Sequence, residues 1–217
     1  NGAMVIDQRN NGASVTGSGY AVDRFYNAFT STNATQQRST VVPAGFTNSL
    51  LVTITTATAP GTSSLAYVSQ TIEGFNTSDF DLGKATAATF TLSFWVRSSV
   101  TGTYAVGFLN GAQDRSYVAT YSISAANTWE YKTITVAGDT TGTWLTNNGK
   151  GLSVFWDLGS GSNYQATAGS WQAGTLLRTS GSVNFANTLG ATFYITGVQL
   201  EKGSTATSFD YRPYGTE

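Results

Sequence analysis

Short runs rich in Val, Ile, Thr, Tyr and Phe recur along the chain, each followed by Gly, Asn, Ser or Asp. Eight of them read as β-strands: 50–56 (LLVTITT), 65–73 (LAYVSQTIE), 90–97 (FTLSFWVR), 102–109 (GTYAVGFL), 116–123 (SYVATYSI), 129–136 (WEYKTITV), 151–157 (GLSVFWD) and 191–200 (ATFYITGVQL). Shorter pieces at 4–7, 20–26 and 209–211 are expected to add edge strands. No window combines a period of 3.6 with helix caps, and no repeat of fixed period is present. Many short strands with turn chemistry between them predict an all-β fold, a sandwich or a barrel.

Residues two apart share one side of a sheet, so alternation assigns faces. In FTLSFWVR, Phe90, Leu92, Phe94 and Val96 form an apolar face, and Thr91, Ser93, Trp95 and Arg97 form the other. In WEYKTITV, Ile134 and Val136 point one way while Trp129, Tyr131, Thr133 and Thr135 point the other. A face mixing aromatic rings with Ser, Thr and Arg suits a sugar, which offers an apolar ring face and a rim of hydroxyls. The same face also suits a subunit interface or a sheet half-covered by loops. A third pair of aromatics, Tyr164 and Trp171, lies in and beside the Gly/Ser-rich stretch Gly159–Gly169 (GSGSNYQATAG). It reads either as a binding loop or, for Trp171, as a plug at one end of the sandwich.

Composition narrows the chemistry. The 217 residues fit one large β domain spanning 1–217. With no Cys and no His, disulfides, thiolate nucleophiles, Cys- or His-bound metals and Ser-His-Asp triads are excluded. Charged residues make up only 11% of the chain, so its 35 Thr and 23 Ser carry much of the polarity. A net charge of -1 argues against nucleic acid as a partner, which would need a basic surface. No run approaches the length of a membrane helix, so no membrane insertion is expected, and the segment NGAMVIDQRNNG lacks the features of a signal peptide.

Catalytic signatures such as G-x-S-x-G, Walker A and G-x-G-x-x-G are absent, so the expectation is a protein that is not an enzyme. Asp79 and Asp81 in FNTSDFDLGK have the D-x-D spacing of a calcium loop, and equally of two turn carboxylates. Charges near a β core persist when paired. On that ground Arg9 or Arg24 is expected to meet Glu201, tying the N-terminal segment to the last strand.

Several stretches, in order, resemble a family of phage tail-fibre and receptor-binding-type proteins. They are Asp7–Gly12 (DQRNNG), Tyr20–Phe25 (YAVDRF), Gln70–Gly74 (QTIEG), Thr91–Ser98 (TLSFWVRS), Asn127–Lys132 (NTWEYK), Gly138–Trp144 (GDTTGTW), Ala191–Glu201 (ATFYITGVQLE) and Phe209–Glu217 (FDYRPYGTE). The resemblance implies an antiparallel jelly-roll sandwich similar to carbohydrate-binding modules, displayed on a virion surface as a tail fibre or on the capsid exterior, commonly as a trimer. It also implies other virion proteins as partners, and that the chain is one domain of a longer protein. Carbohydrate-binding jelly rolls often hold a structural calcium between the N-terminal segment and the last strand. Here Thr196 or Gly197 stands where such modules carry an Asp.

The expected function is non-enzymatic binding of host-surface polysaccharide, through Trp95, Arg97, Trp129 and Tyr131 on a sheet face or Tyr164 and Trp171 at a loop. The alternative is a structural virion protein, a head decoration or fibre-shaft domain, whose mixed face is buried between copies.

Overall fold

The computed structural model describes residues 1–212. The end of the last resembling stretch, 213–217, lies outside the described residues. Thirteen strands run in chain order among the described residues: β1 (Val15–Thr16), β2 (Gly19–Val22), β3 (Phe25–Phe29), β4 (Asn33–Ser39), β5 (Ser49–Thr56), β6 (Ala66–Glu73), β7 (Phe90–Ser98), β8 (Gly102–Asn110), β9 (Arg115–Ile123), β10 (Glu130–Val136), β11 (Lys150–Asp157), β12 (Trp171–Ala173) and β13 (Thr192–Lys202). Four single-turn 3-10 helices interrupt the connections, and there is no α-helix among these residues.

The strands form two antiparallel sheets. Sheet A has the order β1-β4-β5-β13-β7-β10, and sheet B has the order β12-β9-β8-β11-β6-β3-β2. Within them, β5-β13-β7-β10 faces β6-β11-β8-β9, and from β5 to β11 the chain changes sheet at every connection except the β8–β9 hairpin. That order is a jelly roll, eight strands in two Greek keys. The β2–β3 hairpin, the two-residue strand β1 and strand β4 widen the two sheets at one edge.

All eight long strands read from the sequence are present within about two residues of their expected ends. Their alternation also holds. Phe90, Leu92, Phe94 and Val96 of β7 are fully buried between the sheets with Leu50, Val52 and Ile54 of β5 and Phe193 and Ile195 of β13. Phe94 meets the edge-on rings of Tyr121 (5.2 Å) and Trp156 (5.8 Å) from sheet B. Burying a ring of this size contributes about 1.5–3 kcal/mol, so this aromatic layer is a major tie between the sheets.

The short elements depart from expectation. Residues 4–7 form no strand, because Met4 takes a left-handed φ of 58° that ends any extended run. The run 20–26 breaks into the β2–β3 hairpin, turning at Asp23 and Arg24, whose φ is 77°. Residues 209–211 are irregular and lie across sheet A. Conversely β4 (NATQQRS) is a strand without apolar alternation. Its inward Gln36 is fully buried and donates to the Gly17 carbonyl.

The expected ion pair to Glu201 does not form. Arg9 pairs with Asp23 at 3.4 Å and Arg24 with Glu73 at 3.8 Å. Both arginines lie at the β2–β3 edge of sheet B, whereas Glu201 sits on the outer side of sheet A and accepts from Thr207. The N-terminal segment does reach the last strand, through the backbone: the Val198 N–H donates to the Gly2 carbonyl at 3.0 Å.

Two charge pairs hold the long connections. Arg115 grips Asp139 with Nε at 2.8 Å and Nη2 at 2.7 Å. Arg178, within the 158–191 crossover, and Asp157 at the end of β11 are both buried; Arg178 donates to the carbonyls of Ser160 and Ser182 and lies 3.6 Å from the carboxylate. Asp157 also accepts the Gly159 and Ser160 N–H groups at 3.0 and 2.9 Å. This pairing explains how a low-charge chain keeps charges at its core.

Candidate functional site

The outer side of sheet A is built by period-two geometry. Trp95 on β7 stands directly opposite Tyr131 on β10 and Thr196 on β13. One step along, Arg97 stands opposite Tyr194. Ser93 pairs with Thr133, and Thr91 with Thr135. This is the mixed face read from the sequence, and it holds four of the six expected sugar-binding residues.

Those four form two adjoining clusters. The rings of Trp95 and Tyr131 lie 5.4 Å apart at 48°. Beside them the Trp129 ring meets Tyr194 edge-on at 6.1 Å, and the Arg97 guanidinium lies 4.9 Å from the centre of the same Tyr194 ring. The Arg97 Nε–H donates to the Asn127 carbonyl at 2.8 Å, which fixes the plane of its fork.

The segment following β13 crosses this face as a strap. Thr91 donates its hydroxyl to the Gly203 carbonyl at 2.8 Å, and the Asp210 N–H donates to the Gln199 side-chain oxygen at 2.8 Å. The Tyr211 hydroxyl donates to the Gly45 carbonyl. The strap explains why Thr91 and Ser93, which point outward, are nonetheless buried. Burial alone would raise the Glu201 pKa, but hydrogen bonds from Gln199 and Thr207 outweigh it and hold this carboxyl below its ordinary range.

Strap and sheet enclose a groove of about 540 Å³ lined by Phe46, Ser93, Trp95, Tyr131, Gly197 and residues 206–209. Phe46 and Phe209 pack edge-on at 5.2 Å, and Tyr211 caps both rings. Gly197 is needed at this spot. It lies in the register shift of β13 with φ of 61°, and a Cβ there would sit 2.7 Å from Phe46 and 3.1 Å from Trp95. The lining carries rings, two Ser hydroxyls and one Thr hydroxyl, and no charged side chain.

No protein-family model and no curated protein matches the chain. Solved structures resemble it distantly. A family 4 carbohydrate-binding module is 15% identical, with 92% of this chain and 94% of that one covered at a TM-score of 0.42. The N-terminal cellulose-binding domain of β-1,4-glucanase C from Cellulomonas fimi is 12% identical, covering 94% and 95% at 0.43. The enzymatically active domain of tailspike protein 4 from bacteriophage CBA120 is 14% identical at 0.40, and the match covers 87% of this chain but 19% of that one.

The other two expected residues lie elsewhere. Tyr164, in the crossover itself, packs with Leu109, Phe155 and Leu177 on the outer side of sheet B. Trp171 sits on β12 at the edge of sheet B, between Tyr117 (5.4 Å) and Trp144 (5.3 Å). Its indole N–H donates to the Ala137 carbonyl at 2.7 Å. Trp171 therefore folds back onto the sandwich as a plug, and neither residue joins the groove.

Sequence reasoning missed Phe46, Tyr194, Gly197, Phe209 and Tyr211. Tyr194 was readable, because Phe193 and Ile195 face inward and alternation sends it out. Gly197 inside an otherwise apolar strand is a signal of a bulge. Phe46, Phe209 and Tyr211 sit in irregular segments, where no periodicity reports direction.

The D-x-D pair is engaged by lysines: Asp81 meets Lys84 at 2.6 Å and Asp79 meets Lys202 at 3.8 Å. The Lys84 hydrogen bond and charge hold the Asp81 carboxyl below its ordinary value. At Thr196, one of the two positions where the resemblance led to an expected Asp, the hydroxyl donates to the Asn48 carbonyl at 2.7 Å. No cluster of three or more carboxylates is found among the described residues.

Proposed function

We propose that the chain is a non-enzymatic glycan-binding domain that takes a sugar ring into the groove on the outer side of sheet A. The carrying observation is the Trp95–Tyr131 pair, two adjacent rings lining an uncharged groove with hydroxyls of Ser93, Thr207 and Ser208. Aromatic faces accept the apolar side of a pyranose, and the hydroxyls exchange hydrogen bonds with its rim. Paired strands β7 and β10 hold these two rings in place before binding, which limits the ordering cost of capture.

The ordered sequence motifs support placing this domain on a phage particle, as part of a tail fibre or the capsid exterior, with host-surface polysaccharide as its target. Weak single sites in a trimer would act together, since linked copies raise effective concentration without any new contact.

The apolar rings Phe46 and Phe209 in the groove favour a second reading, a structural virion protein whose groove is filled by another copy. One experiment separates the two. Wild type and Trp95→Ala are compared on a glycan array and by light scattering. Loss of glycan binding with unchanged mass supports the binding domain, and loss of an oligomer without any glycan binding supports the structural reading.

A further inference from the structure

The pattern of ion pairs points to the kind of sugar. The chain has eleven Lys+Arg. Among the described residues nine of them meet a carboxylate within 4.0 Å: Arg9, Arg24, Arg38, Lys84, Arg115, Lys132, Arg178, Lys202 and Arg212. The two that do not are Arg97 and Lys150. Lys150 is exposed at the start of β11, away from the aromatic face. Arg97 is half-buried on the aromatic face beside the groove, the one arginine of the set without an acid.

Two contacts hold its guanidinium in place. The Tyr194 ring lies against one face at 4.9 Å, and Nε is committed to the Asn127 carbonyl. Arg9 stacks comparably on Tyr20 at 4.7 Å, but it has an acid partner, Asp23, 3.4 Å from its Nε. At Arg97 the corresponding partner is missing, which leaves the paired Nη1 and Nη2 edge with four N–H donors. That edge matches the two oxygens of a carboxylate, and the stacked, partly desolvated guanidinium is suited to such a pairing.

We infer that Arg97 is the anion subsite of this face, and that the glycan bound here is acidic, carrying a carboxylate on a sugar such as a uronic or ulosonic acid. This rests on the glycan-binding reading given above. Two residues along a strand span about 6.8 Å, so the Arg97 fork lies roughly one sugar ring from the Trp95–Tyr131 pair. The neutral body of one sugar sits on the rings, and the carboxylate of the same or the adjoining sugar meets Arg97.

The test uses the full chain on an array of paired glycans: carboxylated, the same glycans with the carboxyl reduced to a primary alcohol, sulfated or phosphorylated, and neutral. Binders are expected among the carboxylated members, with carboxyl reduction weakening wild-type binding about 10- to 100-fold. Arg97→Gln should lose the same factor and become indifferent to reduction, while Arg97→Lys recovers part of the affinity. The reduction arm needs no variant, so the inference stays testable even if Arg97→Gln unfolds. Equal binding of native and reduced glycans, with affinity lost in Trp95→Ala and kept in Arg97→Gln, would overturn the acidic-sugar assignment and leave glycan binding standing. Binders confined to sulfated or phosphorylated glycans would overturn the carboxylate. A wild-type protein that binds nothing on the array would remove the glycan reading and this inference together.

Discussion

Trp95 and Tyr131 are direct cross-strand partners on β7 and β10, their ring centres 5.4 Å apart, on the outer side of a sheet whose inner side is fully buried. Residues so placed are held by the sheet while doing nothing for the core. Tyr131 stays 43% exposed although its ring packs against a tryptophan.

The first prediction concerns this pair. Tyr131→Ala should leave the thermal midpoint nearly unchanged and weaken glycan binding by roughly 10-fold or more, as expected for a contact at a binding hot spot. Trp95→Ala should weaken binding further and also cost some stability, since Trp95 is only half-exposed. Calorimetric titration beside a melting curve checks both; equal loss of stability and binding in Tyr131→Ala would show that the ring is scaffold.

Gly197→Ala probes the groove directly. The left-handed backbone alone costs an alanine about 1–2 kcal/mol. The added Cβ, 2.7 Å from Phe46, must push that ring aside and narrow the groove. Binding should therefore fall more than the modest drop in melting temperature accounts for. Urea unfolding together with binding to the same glycan measures the two effects separately.

Trp171 should behave in the opposite way. It packs between two rings and donates a hydrogen bond, all at the edge of sheet B. Trp171→Ala is expected to destabilise by about 2–3 kcal/mol, below the full cost for a wholly buried tryptophan. Glycan affinity measured well below the melting temperature should stay as in wild type. A variant of normal stability that fails to bind would move the site to this edge.

The Arg115–Asp139 pair should govern acid stability. Burial alone would raise the Asp139 pKa, but the Arg115 fork and the Thr141 hydrogen bonds outweigh it and bring the folded value below 3.8. A carboxyl with a depressed folded pKa contributes stability above its unfolded value and loses it as pH falls through the folded one. Asp139→Asn should cost about 2–3 kcal/mol at pH 7, between exposed and wholly buried pairs. The gap to wild type should narrow as the pH drops below 3.8. Melting curves of both proteins from pH 7 to pH 2 provide the check, and a gap independent of pH would contradict it.

Strand alternation made much of this architecture legible, and the particular residues show why. Phe90, Leu92, Phe94 and Val96 could only serve a core on one side, which committed Trp95 and Arg97 to the other. The β4 strand stayed hidden because its inward Gln36 is polar, with its amide N–H donating to the Gly17 carbonyl, distant in sequence. Arg9 and Arg24 were matched to the wrong acid for a related reason: pairing of charges depends on which sheet each strand joins, and charge alone carries no address.

The amino-acid sequence by itself therefore determined the strands, their two faces, the missing thiol and imidazole chemistry, and the four outward residues Trp95, Arg97, Trp129 and Tyr131. Period-two geometry is local, so a strand carries that information wherever it is placed. Only the tertiary structure decided that the 203–211 strap and the loop bearing Phe46 close over two of those residues, Trp95 and Tyr131, to make a groove. It also decided that Trp171 and Tyr164 pack elsewhere, and that Arg97 is left without an acid. These are contacts between segments far apart in the chain, formed through irregular backbone whose direction no local pattern sets.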